Sequence, residues 1–388
     1  MFKVTFSFED GSMVETFANA GDNLLEVARS ANVAIDAPCS GNGACGKCRV
    51  QLKSGELESK KTLHISDEEY QAGWRLSCCS KISADVNVLV PDIASAYKSR
   101  MKVADLSSKE EIAIFENAKR DVELAGIELK NSLEVVDVLM DVPSLDDTMP
   151  DNERLTRALR KYLNINRVRI PYVVLKKLPD VLRENNFAVK CVIRATSDDM
   201  YVYDIFGKDE DVVIGGLAID IGTTTVSAVL INMENGEILA KSSAGNGQIR
   251  FGADVINRIV ESQKPGGQKK LQDAVIKETI NPMIHEMCKS AKFPKDHIYR
   301  MCVASNTTMN HLFAGINADP LRTEPYIPAF FKTNSLFASD VGVDINKDAH
   351  IIMAPNIGSY VGGDITAGTL VSMIWNRPEF SLFIDLGT

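Results

Sequence analysis

Five of the eight cysteines of this 388-residue chain lie close together, between positions 39 and 79. Cys39, Cys45 and Cys48 have the spacing Cys-x5-Cys-x2-Cys, and Cys78 follows after 29 further residues. Three thiolates from one loop and a fourth from a distant segment can surround two iron ions. Glycines in that loop allow its backbone to curve and to direct N–H groups at sulfur. The spacing therefore predicts a [2Fe–2S] cluster on these four cysteines.

This assignment has two alternatives, one for the metal and one for the fourth ligand. Zinc is the rival metal, but zinc sites usually combine two Cys-x2-Cys pairs and only one is present. Cys79 is the rival fourth ligand. Neighbours in an extended segment point in opposite directions, so only one of Cys78 and Cys79 is expected to reach the cluster. The string Trp74 to Cys78 is similar to the approach to the fourth ligand in plant-type and adrenodoxin-like ferredoxins, which favours Cys78. The remaining cysteines are predicted to be core residues: Cys191, Cys288 and Cys302.

A second group of residues repeats along the chain. An aspartate at the end of an apolar strand precedes a Gly-Thr turn twice, as Asp220 before Gly222-Thr223-Thr224-Thr225 and as Asp385 before Gly387-Thr388. Such an aspartate can hold Mg²⁺ through water, and the turn can offer N–H and hydroxyl groups to phosphate oxygens. One copy alone is equally typical of a plain hairpin. The repeat favours a phosphate site.

Two further loops are candidates for the same site. Ser305-Asn306 opens a helix whose first N–H groups suit an anion. The string from Gly358 to Asp364 precedes another helix, where Asp364 either positions a catalytic water or caps that helix. His311 is more simply a core histidine.

The elements that must position the cysteines form a small unit. Alternating apolar residues predict strands at Phe2–Phe8, Met13–Phe17 and Val86–Val90, and a helix from Asp22 or Asn23 to Ala31. We therefore predict a β-grasp-like domain over residues 1–97. Residues 98–130 are charged and rich in alanine, which indicates a solvated helix or a tether.

A second unit over residues 131–208 shows no chemistry of its own. Its pattern predicts a small α/β domain with two helices and three strands. The predicted strands are Leu133–Val138, Phe187–Ile193 and Met200–Ile205, and the predicted helices are Asp151–Tyr162 and Tyr172–Glu184.

Residues 214–388 alternate strands and helices. Strands are predicted at Leu217–Ile221, Val226–Ile231, Glu237–Ser243, Ile298–Ala304, Ile351–Ala354 and Leu382–Leu386. Helices are predicted at 252–261, at 268–290, from Thr307, and over Asp364–Ile374. Asn235-Gly236 predicts a hairpin turn between the second and third strands.

Charge and hydropathy exclude some classes of protein. The net charge of −9 argues against a nucleic-acid binder. Residues 1–97 hold 9 Lys and Arg against 13 Asp and Glu, a balance of −4, which suits a basic redox partner or a merely soluble surface. No apolar run is long enough to cross a bilayer, and no signal peptide is evident. We expect a cytoplasmic chain without membrane or nucleic-acid partners.

The two Asp-x-Gly-Thr loops resemble the phosphate clamp of the actin, hexokinase and heat-shock chaperone superfamily. The resemblance implies the first half of an actin-like (ribonuclease H-like) ATPase domain, with ATP and Mg²⁺ held by Asp220 and Asp385. The fold class expected for the whole chain is multidomain, α+β and α/β.

The order of the units resembles the reductive activators of corrinoid proteins, as do the strings SNTTMNHLF and IGSYVGGDITAG and the final IDLGT. In that family one electron converts an inactive Co(II) corrinoid to Co(I), with ATP hydrolysis assisting. The resemblance implies a corrinoid protein as partner and an upstream donor such as a ferredoxin or a flavin reductase. It leaves a homodimer open.

The family's ATPase domain continues past the second phosphate loop, whereas this sequence stops at Thr388. We therefore expect an incomplete domain with little or no ATP turnover. Two other functions stay open: an ATP-independent electron carrier, and a redox sensor that binds partners. Activators of 2-hydroxyacyl-CoA dehydratases, which share a [4Fe–4S] cluster between subunits, are less similar.

Overall fold

The computed structural model describes residues 1–8, 11–31, 33, 35, 37, 43, 46–91, 109–129, 132–163, 165–196, 198–333 and 336–385. Three of its sheets, of five, four and six strands, follow one another along the chain. Each of these sheets belongs to one structural unit.

The N-terminal unit is built on the five-stranded sheet, in the order β2-β1-β7-β3-β5. Period-two alternation buries Val4 and Phe6 beneath it. Asn23 caps helix α1, since its side chain accepts hydrogen bonds from the first-turn amides of Leu25 and Glu26. The strands are β1 (Phe2–Phe8), β2 (Met13–Ala18), β3 (Arg49–Ser54), β4 (Leu57–Ser59), β5 (Trp74–Leu76), β6 (Ser80–Ile82) and β7 (Val86–Val90). The helices are α1 (Leu24–Ser30) and α2 (Asp67–Gln71).

Helix α3 (Lys109–Leu124) lies in the segment predicted to be a solvated helix or a tether. The helix prediction is confirmed for these residues, and the tether stays a prediction. Val122 is buried, and α3 contacts the helix at Gly363–Ser372.

The second unit is a four-stranded sheet in the order β8-β10-β11-β9. Two helices cover it with fully buried leucines at positions 155, 159, 178 and 182. Its long central strands run past the predicted bounds because they pair along their whole length. Its elements are β8 (Leu133–Leu139), α4 (Asp151–Leu163), β9 (Arg167–Arg169), α5 (Tyr172–Glu184), β10 (Ala188–Ala195) and β11 (Asp199–Gly207).

The second unit packs on the third through a separate apolar cluster that includes Tyr203, Phe206, Ile214 and Tyr299. The Tyr299 hydroxyl donates a hydrogen bond of 3.2 Å to Asp204, so the buried phenol finds a polar partner across this contact.

The third unit has a six-stranded sheet in the order β14-β13-β12-β15-β17-β16. β12, β13 and β14 form an antiparallel meander, while β15 and β17 run parallel to β12. The turn at Asn235-Gly236 is confirmed, with Gly236 at a φ of 74°. The strands are β12 (Gly215–Ile221), β13 (Thr225–Asn232), β14 (Ile238–Gly245), β15 (Ile298–Ser305), β16 (Leu336–Phe337) and β17 (His350–Met353).

The helices of the third unit carry its polar loops. The single helix predicted over 268–290 is interrupted by a π-helical turn at Ile276–Ile280, where the Thr279 hydroxyl bonds to the Ala274 carbonyl. The helices are α6 (Val255–Ser262), α7 (Gly267–Val275), α8 (Asn281–Ala291), α9 (Thr307–Ala314), α10 (Ala338–Val341) and α11 (Gly363–Ser372).

Two expectations for the third unit are wrong. Residues 382–385 form no strand, because Leu382 and Ile384 are exposed and no neighbouring strand pairs with them. Cys302 is exposed rather than in the core, because its side chain points to the open face of β15. Cys191 and Cys288 are buried, as predicted. No helix among the described residues is long and apolar enough to span a membrane.

Candidate functional site

Strand pairing in the N-terminal unit brings two of the predicted cluster ligands together. Cys48 directly precedes β3, and Cys78 lies in the turn that follows β5. β3 and β5 pair antiparallel with Arg49 opposite Leu76, which places the two cysteines at the same end of the sheet. The carbonyl of Cys78 also accepts a 2.8 Å hydrogen bond from the Asn23 side chain, so the cap of α1 helps to hold this turn.

The two thiols of this pair are in contact but not bonded to each other. The Sγ atoms of Cys48 and Cys78 are 3.1 Å apart, well beyond the roughly 2.05 Å of a disulfide. At Gly46, which has a φ of 66°, the backbone comes so close to the His64 side chain that a Cβ would lie 2.6 Å from it. Only glycine fits there, which suits a segment whose backbone must wrap a cluster. Cys39 and Cys45 lie outside the described residues.

The turn after β5 corrects the reasoning that separated Cys78 from Cys79. Residues Ser77–Cys79 form a 3₁₀ turn rather than an extended segment, so neighbouring side chains need not point in opposite directions. The Sγ atoms of Cys78 and Cys79 are 3.6 Å apart. Both thiols therefore face the cluster loop, and Cys78 as the ligand stays a prediction.

The thiol pair is prepared to lose a proton. The hydrogen bond that its two sulfurs share lowers the pKa of the buried Cys48 to about 6 and raises the pKa of Cys78. One thiolate is therefore present near neutral pH. Because iron binds the thiolate and not the thiol, this reduces the cost of metal binding.

The second site is a cavity of about 480 Å³ in the third unit. It opens where β12, β15 and the segment before α11 end. It brings together the predicted Asp220, Gly222 to Thr225, Asn306, Asp364 and Asp385. Gly387 and Thr388 lie outside the described residues.

The loop from Gly222 to Thr225 is fixed by hydrogen bonds from buried side chains. Its Gly222 must be glycine, because a Cβ there would lie 2.7 Å from the Thr225 carbonyl oxygen. The buried Asn246 donates to the Gly222 carbonyl at 2.8 Å, and the fully buried Arg258 donates to the Thr223 carbonyl. Carbonyl oxygens repel phosphate oxygens. A loop whose carbonyls accept hydrogen bonds from buried side chains is therefore suited to binding an anion.

Three carboxylates meet in this cavity. Enclosure by the protein, with the charges of Asp364 and Asp385, raises the pKa of Asp220 to about 6. Burial, and after it the Asp385 charge, raises the pKa of Asp364 as well. Among the described residues no group of three or more His, Cys, Asp or Glu side chains forms a direct metal site. A divalent cation held through water would relieve this repulsion.

The two residues predicted at the start of α9 separate in the structure. Asn306 caps α9 through the Met309 amide and donates to the Thr223 hydroxyl at 3.3 Å, so it connects the two loops. Ser305 does not reach the cavity; its buried hydroxyl donates to the Asn310 side chain at 2.7 Å.

Asp364 does not cap its helix. The cap position of α11 belongs to Gly362, and Asp364 lies in the first turn, where its carboxylate accepts a hydrogen bond from the next amide, Ile365. A Cβ on Gly362 would lie 2.4 Å from the Asn306 Cα, so the cap must be glycine. The capping interpretation is therefore wrong, and the catalytic interpretation stays a prediction.

Several residues of the cavity were not predicted. Val255, Thr308, Ser359, Tyr360 and Ile365 line it. The glycine-rich string before α11 was recognised as facing a ligand, but nothing in it distinguished Ser359 or Tyr360. His311, as predicted, is a core residue: its Nε2 accepts from the Ala329 amide, so its Nδ1 donates to the Thr307 carbonyl.

One side chain connects the N-terminal unit to the third unit. Arg29 of α1 is 4% exposed and donates to the Arg250 carbonyl at 2.8 Å. Its guanidinium also lies 3.9 Å from Glu261, which is 3% exposed and pairs with Lys264. Arg250 belongs to the short 3₁₀ segment Gly247–Phe251, between Asn246 and the Gly252 carbonyl that Arg258 binds. Arg29 and Arg258 thus hold the same segment.

Comparisons with known proteins cover most of the chain. Residues 7–83 match the family described as "2Fe-2S iron-sulfur cluster binding domain". Residues 122–212 match "RACo linker region", and residues 215–377 match "RACo middle region". The second unit, predicted as a middle domain, thus corresponds to the region that this family calls its linker.

Two relatives match over nearly the whole chain. A protein of Eubacterium limosum named "Corrinoid activation enzyme RamQ" is 27% identical over 94% of this chain and 55% of its own length. A solved structure, "Reductive activator for corrinoid,iron-sulfur protein", is 32% identical with a TM-score of 0.58, over 98% of this chain and 59% of that one. The chain therefore spans somewhat over half the length of each.

A third similarity is confined to the N-terminal unit. One component of the Na⁺-translocating NADH-quinone reductase from Actinobacillus succinogenes is 35% identical over 91 residues, 23% of this chain and 22% of its own length. This similarity is therefore to a short part of another protein. The order of the matched regions and the two long matches make the chain similar, over nearly all of its length, to the reductive activators of corrinoid proteins.

Proposed function

We propose that this chain reduces a corrinoid protein from inactive Co(II) to Co(I), with one electron from a [2Fe–2S] cluster and with assistance from Mg²⁺-bound ATP. When bound, the cluster supplies one-electron chemistry at a fixed place in the N-terminal unit. Cys39, Cys45, Cys48 and Cys78 would hold it. The names of the two long relatives, and the order of the units, support this proposal.

The third unit would supply the ATP site. Its strand order, with an antiparallel meander and two strands parallel to β12, supports the first half of an actin-like ATPase domain. Within it, Gly222 to Thr225 would bind phosphate, and Asp220 and Asp385 would hold Mg²⁺ through water. Asp364, with its raised pKa, suits a base that positions a water at the phosphate.

One observation supports coupling between the cluster site and the ATP site. The side chains of Arg29 and Arg258 both donate hydrogen bonds to carbonyls of the segment 246–252. Arg258 of α6 donates both to this segment and to the phosphate loop, and Arg29 donates to the segment from α1, whose cap Asn23 holds the Cys78 turn. Formation of Co(I) from Co(II) is energetically unfavourable, so ATP must change the geometry of a complex rather than only bind. A continuous set of contacts between the sites is one physical route by which such a change can be transmitted.

The proposal also implies a partner protein, an electron donor and a cellular compartment. The partner would be the corrinoid protein of a methyl-transfer system, and a ferredoxin or flavin reductase would refill the cluster. We place the reaction in the cytoplasm, where thiols stay reduced, since the cysteines that the structure describes are all free.

The test is anaerobic. A polypeptide that carries this chain at the full length of its two long relatives is reconstituted with iron and sulfide and mixed with a reductant and a Co(II) corrinoid protein, with or without Mg²⁺ and ATP, and the visible spectrum is followed. We expect Co(I) to form faster with ATP. Equal rates with and without ATP would favour a plain electron carrier, and no Co(I) in either sample would contradict the proposal.

A further inference from the structure

A fifth thiol lies at the predicted cluster site. The 3₁₀ turn Ser77–Cys79 presents two consecutive cysteines to the same loop, and their Sγ atoms are 3.6 Å apart, within the distance of a sulfur hydrogen bond. On its other side, the Cys79 Sγ lies 3.3 Å from the position of a Cβ on Gly43, a residue of the cluster loop. Cys79 thus lies between a predicted ligand and Gly43.

The direction of this hydrogen bond follows from chemistry. A cysteine that binds iron does so as the thiolate, so Cys78 has no proton to donate once the cluster is present. Cys79 is not needed as a ligand, because four other cysteines already have the spacing for two iron ions. The Cys79 S–H is then the donor and the Cys78 sulfur the acceptor.

We propose that Cys79 is a positioning residue that sets the reduction potential of the cluster through this S–H···S hydrogen bond. Hydrogen bonds to cluster sulfurs are among the factors that determine such potentials. Reduction adds negative charge to the cluster, and a donor at its ligand sulfur stabilises that charge. Cys79 therefore raises the reduction potential, which lets a moderate donor fill the cluster. The proposal rests on the [2Fe–2S] cluster of the proposed function.

The 388-residue chain and three variants test this role. Cys79→Ala removes the donor, Cys79→Ser keeps a hydroxyl donor at the same position, and Cys302→Ala removes a thiol that is not part of the N-terminal unit. Each is reconstituted, its iron is counted, and its potential is measured by redox titration followed by electron paramagnetic resonance. Exchangeable protons near the reduced cluster are measured by electron–nuclear double resonance.

We expect all four proteins to hold the same iron. Cys79→Ala should have a more negative potential and should lose one exchangeable proton signal. Cys79→Ser should regain most of the potential, and Cys302→Ala should match the parent chain. An unchanged potential and proton signal in Cys79→Ala would overturn the inference and leave the proposed function intact. A parent chain that holds no iron after reconstitution would overturn both.

Discussion

The thiol pair and the carboxylate cavity differ in how easily their acidic groups ionise. At the thiol pair, one sulfur stabilises the negative charge of the other, so that a thiolate forms near neutral pH before any metal binds. In the cavity, burial and then the charges of Asp364 and Asp385 raise the pKa of Asp220, while burial and the Asp385 charge raise the pKa of Asp364. The first site thus already offers a thiolate to a metal, whereas the second would be stabilised by a bound cation. This difference suits an electron store beside a nucleotide switch.

The largest expected effect tests the thiol pair as the cluster site. Cys48→Ala removes the buried member of the thiol pair, so two iron ions lose one of four ligands and the cluster should not assemble. We expect loss of essentially all iron and sulfide and of the visible colour, measured by chemical analysis after anaerobic reconstitution. Cys302→Ala is the matched control and should retain both. A fully loaded Cys48→Ala would place the cluster elsewhere.

The second-largest expected effect tests the carboxylate cavity as a Mg²⁺ site. Asp220→Asn removes the carboxylate proposed to hold Mg²⁺ through water, so the affinity for Mg²⁺-bound ADP should fall roughly 10- to 100-fold, the range for outer partners of a bound metal. Titration calorimetry measures it. Asp209→Asn, an exposed aspartate of the second unit, should bind as the parent does. Equal affinity in Asp220→Asn would remove this residue from the site.

A smaller effect tests the contact between the two sites. Arg29→Ala leaves the buried Glu261 with only Lys264 and frees the Arg250 carbonyl, a loss of about 1–3 kcal/mol at this contact. We expect faster amide hydrogen exchange in residues 247–252, measured by mass spectrometry. Arg160→Ala, on the exposed face of α4, should leave that segment unchanged. No difference between the two variants would show that the segment is held without Arg29.

The smallest effect concerns pH. The folded-state pKa of Asp220, about 6, lies above its value in the unfolded chain, so the folded state binds the extra proton. Without Mg²⁺, stability should therefore fall as pH rises from about 4 to about 6 and stay lower above that. Asp220→Asn lacks this loss, so it should melt a few degrees above the parent at pH 7 but not at pH 4. Added Mg²⁺ should close the gap; a gap that is the same at every pH would contradict the assignment.

The sequence predicted those parts of the sites whose residues are close in the chain or whose pattern repeats. Cys48 could be predicted because Cys39 and Cys45 precede it in the same loop, and Asp220 because Asp385 repeats its pattern. Asn246 and Arg258 could not be predicted, because they bind the carbonyls of a loop 24 and 35 residues away, and only the folded backbone shows that. The argument that Cys78 and Cys79 point in opposite directions was wrong for a local reason: a 3₁₀ turn stands where an extended segment was expected.

The most direct test of the whole account follows a single electron. The same full-length polypeptide is reduced, freed of excess reductant, and mixed with a Co(II) corrinoid protein and Mg²⁺-bound ATP in a stopped-flow spectrometer. We predict that the oxidised cluster spectrum returns at the same rate as Co(I) appears, one Co(I) for each chain, and that Cys48→Ala produces none. Co(I) formation at the same yield with Cys48→Ala, or a cluster that stays reduced while Co(I) forms, would contradict the account.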